Sequence, residues 1–377
     1  MRGCVFDTPH SQVPRSPGLP QYSTGPQRSS STSSRPLAAE LPKPPPWKLR
    51  GTDPCVPVLG QEVVVGSREA FHYVPSALET AWTEQSRVGQ ICELAKKQTT
   101  DAGLWLNYSQ AVFQPTPGVP SRDPGPEEAK VLSYFLMGED KKPHWIEPLS
   151  GIARNPHSIC MKSADLFDIR YLILESFCGR PGPKPIVRFF DLGCTSNAGT
   201  RDFLNVNYQQ GSGAGPSIPL FFNMYKDRCL EFDHIYGWEA KSQSVSAWWE
   251  PLPDHIRERV RYYNVPVNEN SCEETLGKDK YASKGSFLRM LPHAAKVEDF
   301  VVLKVDIDGG PELQIVESIA RHPELSALVD EIFFEYHFYF DGIGFGWPPV
   351  TKERNVDTAL DLMKRLRLAG IRSHFWI

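Results

Sequence analysis

Residues 186–377 predict a doubly wound α/β sheet, and three observations carry that reading. Short apolar runs recur from Ile186 onward, they lack the alternation of a half-exposed strand, and amphipathic stretches fall between them. Runs without alternation suit strands buried on both faces of a parallel sheet. Their regular exchange with helical patterns suits an α/β domain.

The first run, Ile186 to Phe190, ends in Asp191-Leu192-Gly193. A helical pattern follows over Pro216 to Leu230, with Leu220, Phe221, Met224 and Tyr225 on its apolar face. Ile235 to Trp238 is the second strand and ends in Glu239; Val260 to Val267 is the third. Phe300 to Ile307 (FVVLKVDI) is the fourth. Pro311 to Arg321 reads as a helix, with Pro at its first position and Glu312 in its first turn, both suited to a helix start. Glu331 to Phe334 begins the fifth strand. Val356 to Ala369 is a helix with Leu360, Met363 and Leu366 inward, Lys364, Arg365 and Arg367 in its last turns, and Gly370 beyond. Ile371 to Ile377 is the final strand.

The chain before this domain reads differently. Half of the 34 prolines fall in the first third of the 377 residues. Residues 1–58 predict a disordered Pro/Ser-rich tail, with too little apolar surface to offset chain entropy. Residues 59–185 predict a mostly helical cap, broken by a Pro/Gly-rich linker at 114–127. Its expected helices are Ala77 to Lys97, Glu127 to Gly138, and residues 158–178, where Ile169, Tyr171, Leu172 and Ile173 suggest a buried stripe.

The net charge of −4 gives no polyanion-binding signal, so no nucleic-acid partner is expected. No run reaches the ~18 apolar residues that span a bilayer, and the N-terminus lacks a signal-peptide core. None of the eight cysteines sits at C-x-x-C spacing. They read as buried thiols in a reducing compartment, which favours the cytoplasm over an organelle or the secretory pathway.

In such a sheet, ligands bind beyond the carboxyl ends of the strands. Those ends carry Asp191 and Gly193, then Glu239, Asn264, Asp306 with Asp308, and Glu335 with His337. Glycine at 193 lets backbone amides approach a ligand. A carboxylate at 239 suits the two hydroxyls of a ribose. GSGAG at 211–215 follows no strand and reads as a flexible connection.

The string Lys304-Val-Asp306-Ile-Asp308-Gly309, with Glu312 after it, resembles the K-x-D-x-E-G-x-E signature of FkbM-type S-adenosylmethionine-dependent methyltransferases. FFDLG at 189–193 and YGWEA at 236–240 are similar to that family's first two motifs. NVPV at 264–267, DEIFFEYHF at 330–338, Gly346-Trp347 and LRLAGIRSHFWI at 366–377 resemble a poorly characterised algal and protist branch. The resemblance implies a Rossmann-like, class I methyltransferase-like sheet over 186–377 and S-adenosyl-L-methionine as cofactor. It puts Asp191 and Gly193 at the methionine end, Glu239 at the ribose, Asn264 and Val265 near the adenine, and Asp306 by the methyl group. It implies O-methylation of a hydroxyl, for which a glycan or small metabolite is the expected acceptor; Asp306 and His337 are the candidate bases for its proton, and no metal is expected. The sequence departs from the family in its stretched first glycine loop, in Asp308 where glutamate is usual, and in a single strand after the last helix. Two rivals stand beside this reading: a metal-dependent glycosyltransferase using the Asp306-x-Asp308 pair, and a non-catalytic binding module on the same fold.

Overall fold

The computed structural model describes residues 72–84, 99–113, 121–136, 142–149, 169–195, 216–267, 286–308, 311–338 and 351–376. The expected tail at 1–58, GSGAG at 211–215, Gly199, Gly309 and Gly346-Trp347 lie outside them, as does residue 85 onward of the first expected helix. No helix among the described residues is long and apolar enough to cross a membrane.

The structure is α/β, as the alternation predicts. Six strands form one all-parallel sheet: β4 (Val187–Leu192), β5 (His234–Trp238), β6 (Val260–Tyr263), β7 (Phe300–Val305), β8 (Glu331–Glu335) and β9 (Arg372–Trp376). Their order is β6-β5-β4-β7-β8-β9, so the chain reverses its direction of travel between β4 and β7. Every residue of β7, β8 and β9 is buried, the physical basis of their unalternating sequences.

Helices cover both faces. Phe189 stacks on Phe221 of α4 (Ser217–Lys226), with ring centres 4.8 Å apart. Its neighbour Phe190 points the other way and meets Phe287 of α7 (Phe287–Ala294) edge-on at 5.6 Å. Between these lie α5 (Val245–Trp249) and α6 (Asp254–Arg257). The chain from β7 to β8 holds α8 (Pro311–Arg321) and α9 (Pro323–Ser326), and α10 (Val356–Leu368) leads into β9. The Asn355 side chain accepts from the Thr358 amide at 3.1 Å and starts α10, a cap worth ~1 kcal/mol.

Ahead of the sheet stand α1 (Ala77–Glu84), α2 (Thr99–Phe113) and α3 (Pro126–Val131). A second, antiparallel sheet joins them: β1 (His72–Val74), β2 (Ser133–Leu136) and β3 (Pro143–Ile146). Two helical expectations fail here. The helix begun at Glu127 stops at Val131, because Ser133–Leu136 pair between two strands. Residues 169–178 are not helical. Their apolar side chains are buried as expected, but their backbone serves other partners: the Ile173 amide donates to Glu147 and its carbonyl accepts from Arg372.

The thiol reading also needs correction. Cys178 and Cys229 form a disulfide across 51 residues of chain, with Cα atoms 5.1 Å apart. The bond ties the segment before β4 to the turn after α4, a meeting that neither residue's sequence surroundings announce. Cys194 is a buried free thiol; Cys4, Cys55, Cys92, Cys160 and Cys272 lie outside the described residues.

The first residues of β8 and β9 build a sealed polar network that fastens the preceding segments to the sheet. His374 lies between Glu147 Oε1 (2.6 Å) and Glu331 Oε1 (2.8 Å). Glu331 Oε2 accepts from Tyr225 of α4 at 2.6 Å. Arg372 donates to the carbonyls of Trp145 and Ile173 at 2.8 and 2.7 Å. Arg367 of α10 reaches Tyr73, Glu79 and the Glu147 carbonyl with one nitrogen and the Ser373 carbonyl with two others. Glu79 also accepts from Tyr73, Ser133 and the Leu149 amide.

Candidate functional site

The carboxyl edge of the sheet, at the opposite ends of the same strands, gathers the expected site residues around Lys304. Lysine in an otherwise apolar, doubly buried strand requires counter-charges. Register puts Asp191 of β4 beside Lys304 of β7. The ammonium lies 2.8 Å from Asp306 Oδ2 and 3.4 Å from Asp191 Oδ1, and donates to the Gly193 carbonyl at 3.2 Å. Burial works against its charge, but Asp306 and Asp191 outweigh burial and hold its pKa above the ordinary value.

Asp191 is fully buried. Ser217, in the first turn of α4, donates to Oδ2, while Oδ1 has no hydrogen-bond partner. Gly193 has φ +91°, and a Cβ there would lie 1.6 Å from the Asp306 carbonyl oxygen, so only glycine fits where β4 turns past β7. The amides of Gly193 and Cys194 both donate to the Trp238 carbonyl, at 3.0 and 2.7 Å, which binds this turn to the end of β5. Gly237 leaves room for it: a Cβ there would sit 2.8 Å from Cys194 Sγ.

Glu239 follows β5 and is part-buried. Burial pushes its carboxyl above the usual range, and Asp191 adds to the shift. Its Oε1 accepts from the Lys241 amide at 2.7 Å. Asn264 closes the same loop: its amide donates to the carbonyls of Glu239 and Lys241 at 2.7 and 2.8 Å and accepts from the Gln243 amide at 3.1 Å. That side chain is spent on shaping the Glu239 turn. Val265 packs, part-buried, against the core.

Asp306 continues the edge. Burial raises its carboxyl, but Lys304 prevails and the net shift is downward. Trp376 Nε1 donates to its Oδ2 at 3.2 Å. Glu335, at the end of β8, is driven well above the ordinary range by burial and by Asp306 beside it. His337 is buried, with Nε2 at 3.1 Å from Glu335 Oε2, 3.9 Å from Asp308 Oδ1 and 3.8 Å from Glu312 Oε1. Asp308 is exposed and holds φ +50°, in the left-handed region that Asp and Asn tolerate better than most residues. Glu312 is fully buried in the first turn of α8, and burial pushes its carboxyl up to about 8.

The edge therefore runs from Asn264 through Glu239, Asp191, Lys304 and Asp306 to Glu335 and His337. Sequence reasoning missed Ser217 and Trp376, which arrive from distant segments, and missed the role of Lys304, which its apolar surroundings signal. No protein-family model, no curated protein and no solved structure matches the chain.

Proposed function

We propose that the chain is an S-adenosylmethionine-dependent methyltransferase, acting on a hydroxyl of a glycan or small metabolite through a Rossmann-like domain over 186–377. One observation carries the proposal. Asp191, Glu239 and Asp306 end three neighbouring strands at the point where strand order reverses, the location where open α/β sheets bind ligands. The residues present suit the cofactor. Asp191 Oδ1 makes no hydrogen bond, its one charged neighbour among the described residues being the Lys304 ammonium at 3.4 Å. With Oε1 of Glu239 on the Lys241 amide, Oε2 is the atom available to a ribose hydroxyl. Asn264 holds the Glu239 turn, so its part in adenine binding is indirect; Val265 offers apolar contact.

When bound, the cofactor supplies an electrophilic methyl group on a sulfonium. The chain's work is to align the acceptor, exclude water and receive the hydroxyl proton as the oxygen–carbon bond forms and the sulfur–carbon bond breaks. His337 suits the proton's destination better than Asp306, whose charge Lys304 already stabilises. The same ion pair weighs against the glycosyltransferase rival, since it occupies the first carboxylate of the Asp306-x-Asp308 pair.

Calorimetric titration with S-adenosylhomocysteine in EDTA tests the reading. One site per chain is expected, weakened about tenfold or more in Glu239→Ala, as for loss of a charge-assisted hydrogen bond. Absence of binding in the folded wild type would favour the non-catalytic rival. His337→Ala is expected to abolish turnover while leaving this affinity intact.

A further inference from the structure

Beyond Asp306, the ends of β7 and β8 hold a ligand set that methyl transfer does not require. Single ligand atoms of Asp308, Glu335 and His337 all lie within 4.8 Å of one another, the one such group of three among the described residues. Two ligands about 2.1 Å from a shared ion stand roughly 3 Å apart at right angles and roughly 4 Å apart across it. The observed 3.1 Å and 3.9 Å from His337 Nε2 to Glu335 and Asp308 fall in that range. A separate observation points the same way. Glu312 Oε1 is buried and makes no hydrogen bond, with Arg354 Nη1 at 3.7 Å and His337 Nε2 at 3.8 Å. Neither group reaches hydrogen-bond distance, which is costly for a buried carboxyl oxygen, and a cation held by His337 would add a further positive charge beside it.

We propose that Asp308, Glu335 and His337 bind a divalent cation, with Glu312 as an outer carboxylate facing it. Carboxylate oxygens suit Mg²⁺, Ca²⁺ and Mn²⁺, whereas imidazole suits first-row transition ions. Mn²⁺ serves both. Asp306 is excluded from the set, being held by Lys304 and Trp376. Three protein ligands leave coordination positions open. The side chain of Asp308 is 62% exposed, so these positions open to solvent on its side, where water or an acceptor oxygen completes the shell. The cation does not depend on the methyl-transfer reading. A coordinated Nε2 is no general base, however, so His337 serves either the ion or the proton.

The test is an electron paramagnetic resonance titration of the full chain, stripped with EDTA and dialysed, using MnCl₂ alone. One Mn²⁺ per chain is expected to bind, with loss of the free-ion signal. Asp308→Asn is the decisive variant: its side chain is exposed and asparagine tolerates the positive φ, so folding is preserved. It is expected to weaken binding at least about tenfold, His337→Gln to do the same, and Glu312→Gln to weaken it about tenfold as an outer-shell change. No binding by about 1 mM Mn²⁺, weaker than the sites of extracellular cation modules, would overturn the proposal. So would binding unchanged in both Asp308→Asn and His337→Gln. The S-adenosylhomocysteine titration in EDTA is read without metal, so failure of either proposal leaves the other standing.

Discussion

Glu331 opens β8 and Glu335 closes it, both on the face shared with Phe333, yet their surroundings differ in kind. At the amino end, every carboxylate oxygen of Glu79, Glu147 and Glu331 accepts a hydrogen bond or pairs with His374. Arg372 Nη1 makes no hydrogen bond there, but it stands 3.2 Å from Glu175 Oε2. At the carboxyl end, Asp191 Oδ1 and Glu312 Oε1 make no hydrogen bond and have only looser ion-pair neighbours, Lys304 at 3.4 Å and Arg354 at 3.7 Å; burial pushes the Glu312 carboxyl up to about 8, and Asp308 holds a left-handed backbone. Buried polar groups that are fully satisfied fasten parts together, whereas buried groups short of close partners are candidates for contact with a ligand.

Breaking the amino end should cost most. Arg367→Ala is expected to destabilise the protein by about 3–5 kcal/mol, because it leaves Glu79 and Glu147 buried with a partner missing. Urea unfolding measures this, and a loss below ~1 kcal/mol would show that the network is not a fastening. Reduction of Cys178–Cys229, also at this end, should cost up to about 4 kcal/mol from the 51-residue separation. S-adenosylhomocysteine affinity of the folded fraction should stay unchanged.

At the carboxyl end the mutational sign reverses. Glu312 keeps a proton in the folded state that the unfolded chain releases, so stability falls as pH rises from ~4.5 through about 8. In metal-free protein, Glu312→Gln should therefore raise stability at pH 8, on the order of 1–3 kcal/mol. An unfolding midpoint lowered at pH 8 would contradict this. His374 gives the smaller, opposite case. Burial lowers its pKa, but Glu147 and Glu331 prevail and raise it. Its contribution is fully present below the ordinary histidine value of ~6.5 and is lost as pH rises through the raised one. His374→Gln should thus cost more stability at pH 6 than at alkaline pH, read as the difference between two denaturant midpoints.

The two ends were unequally legible in the sequence. Strands such as FVVLKV announce themselves because both faces are buried. The placement of Asp191, Gly193, Glu239, Asp306 and His337 at the carboxyl edge follows from them, since each lies at or just beyond a strand's end. Asn264 shows the limit of that rule: a polar residue at the right place, spent on its own loop. The amino-end network was illegible because its partners are remote, with Tyr73 and Arg367 separated by 294 positions. Local pattern likewise made 169–178 look helical, where hydrogen bonds to Glu147 and Arg372 decide otherwise.

Hydrogen exchange with and without S-adenosylhomocysteine tests the contrast most directly, because it reads both ends in one sample. Added protection is expected for amides at 193–195 and 239–243 and none at 147–149 or 173–175. Protection confined to the amino end, or none at the carboxyl edge at saturating ligand, would contradict that expectation.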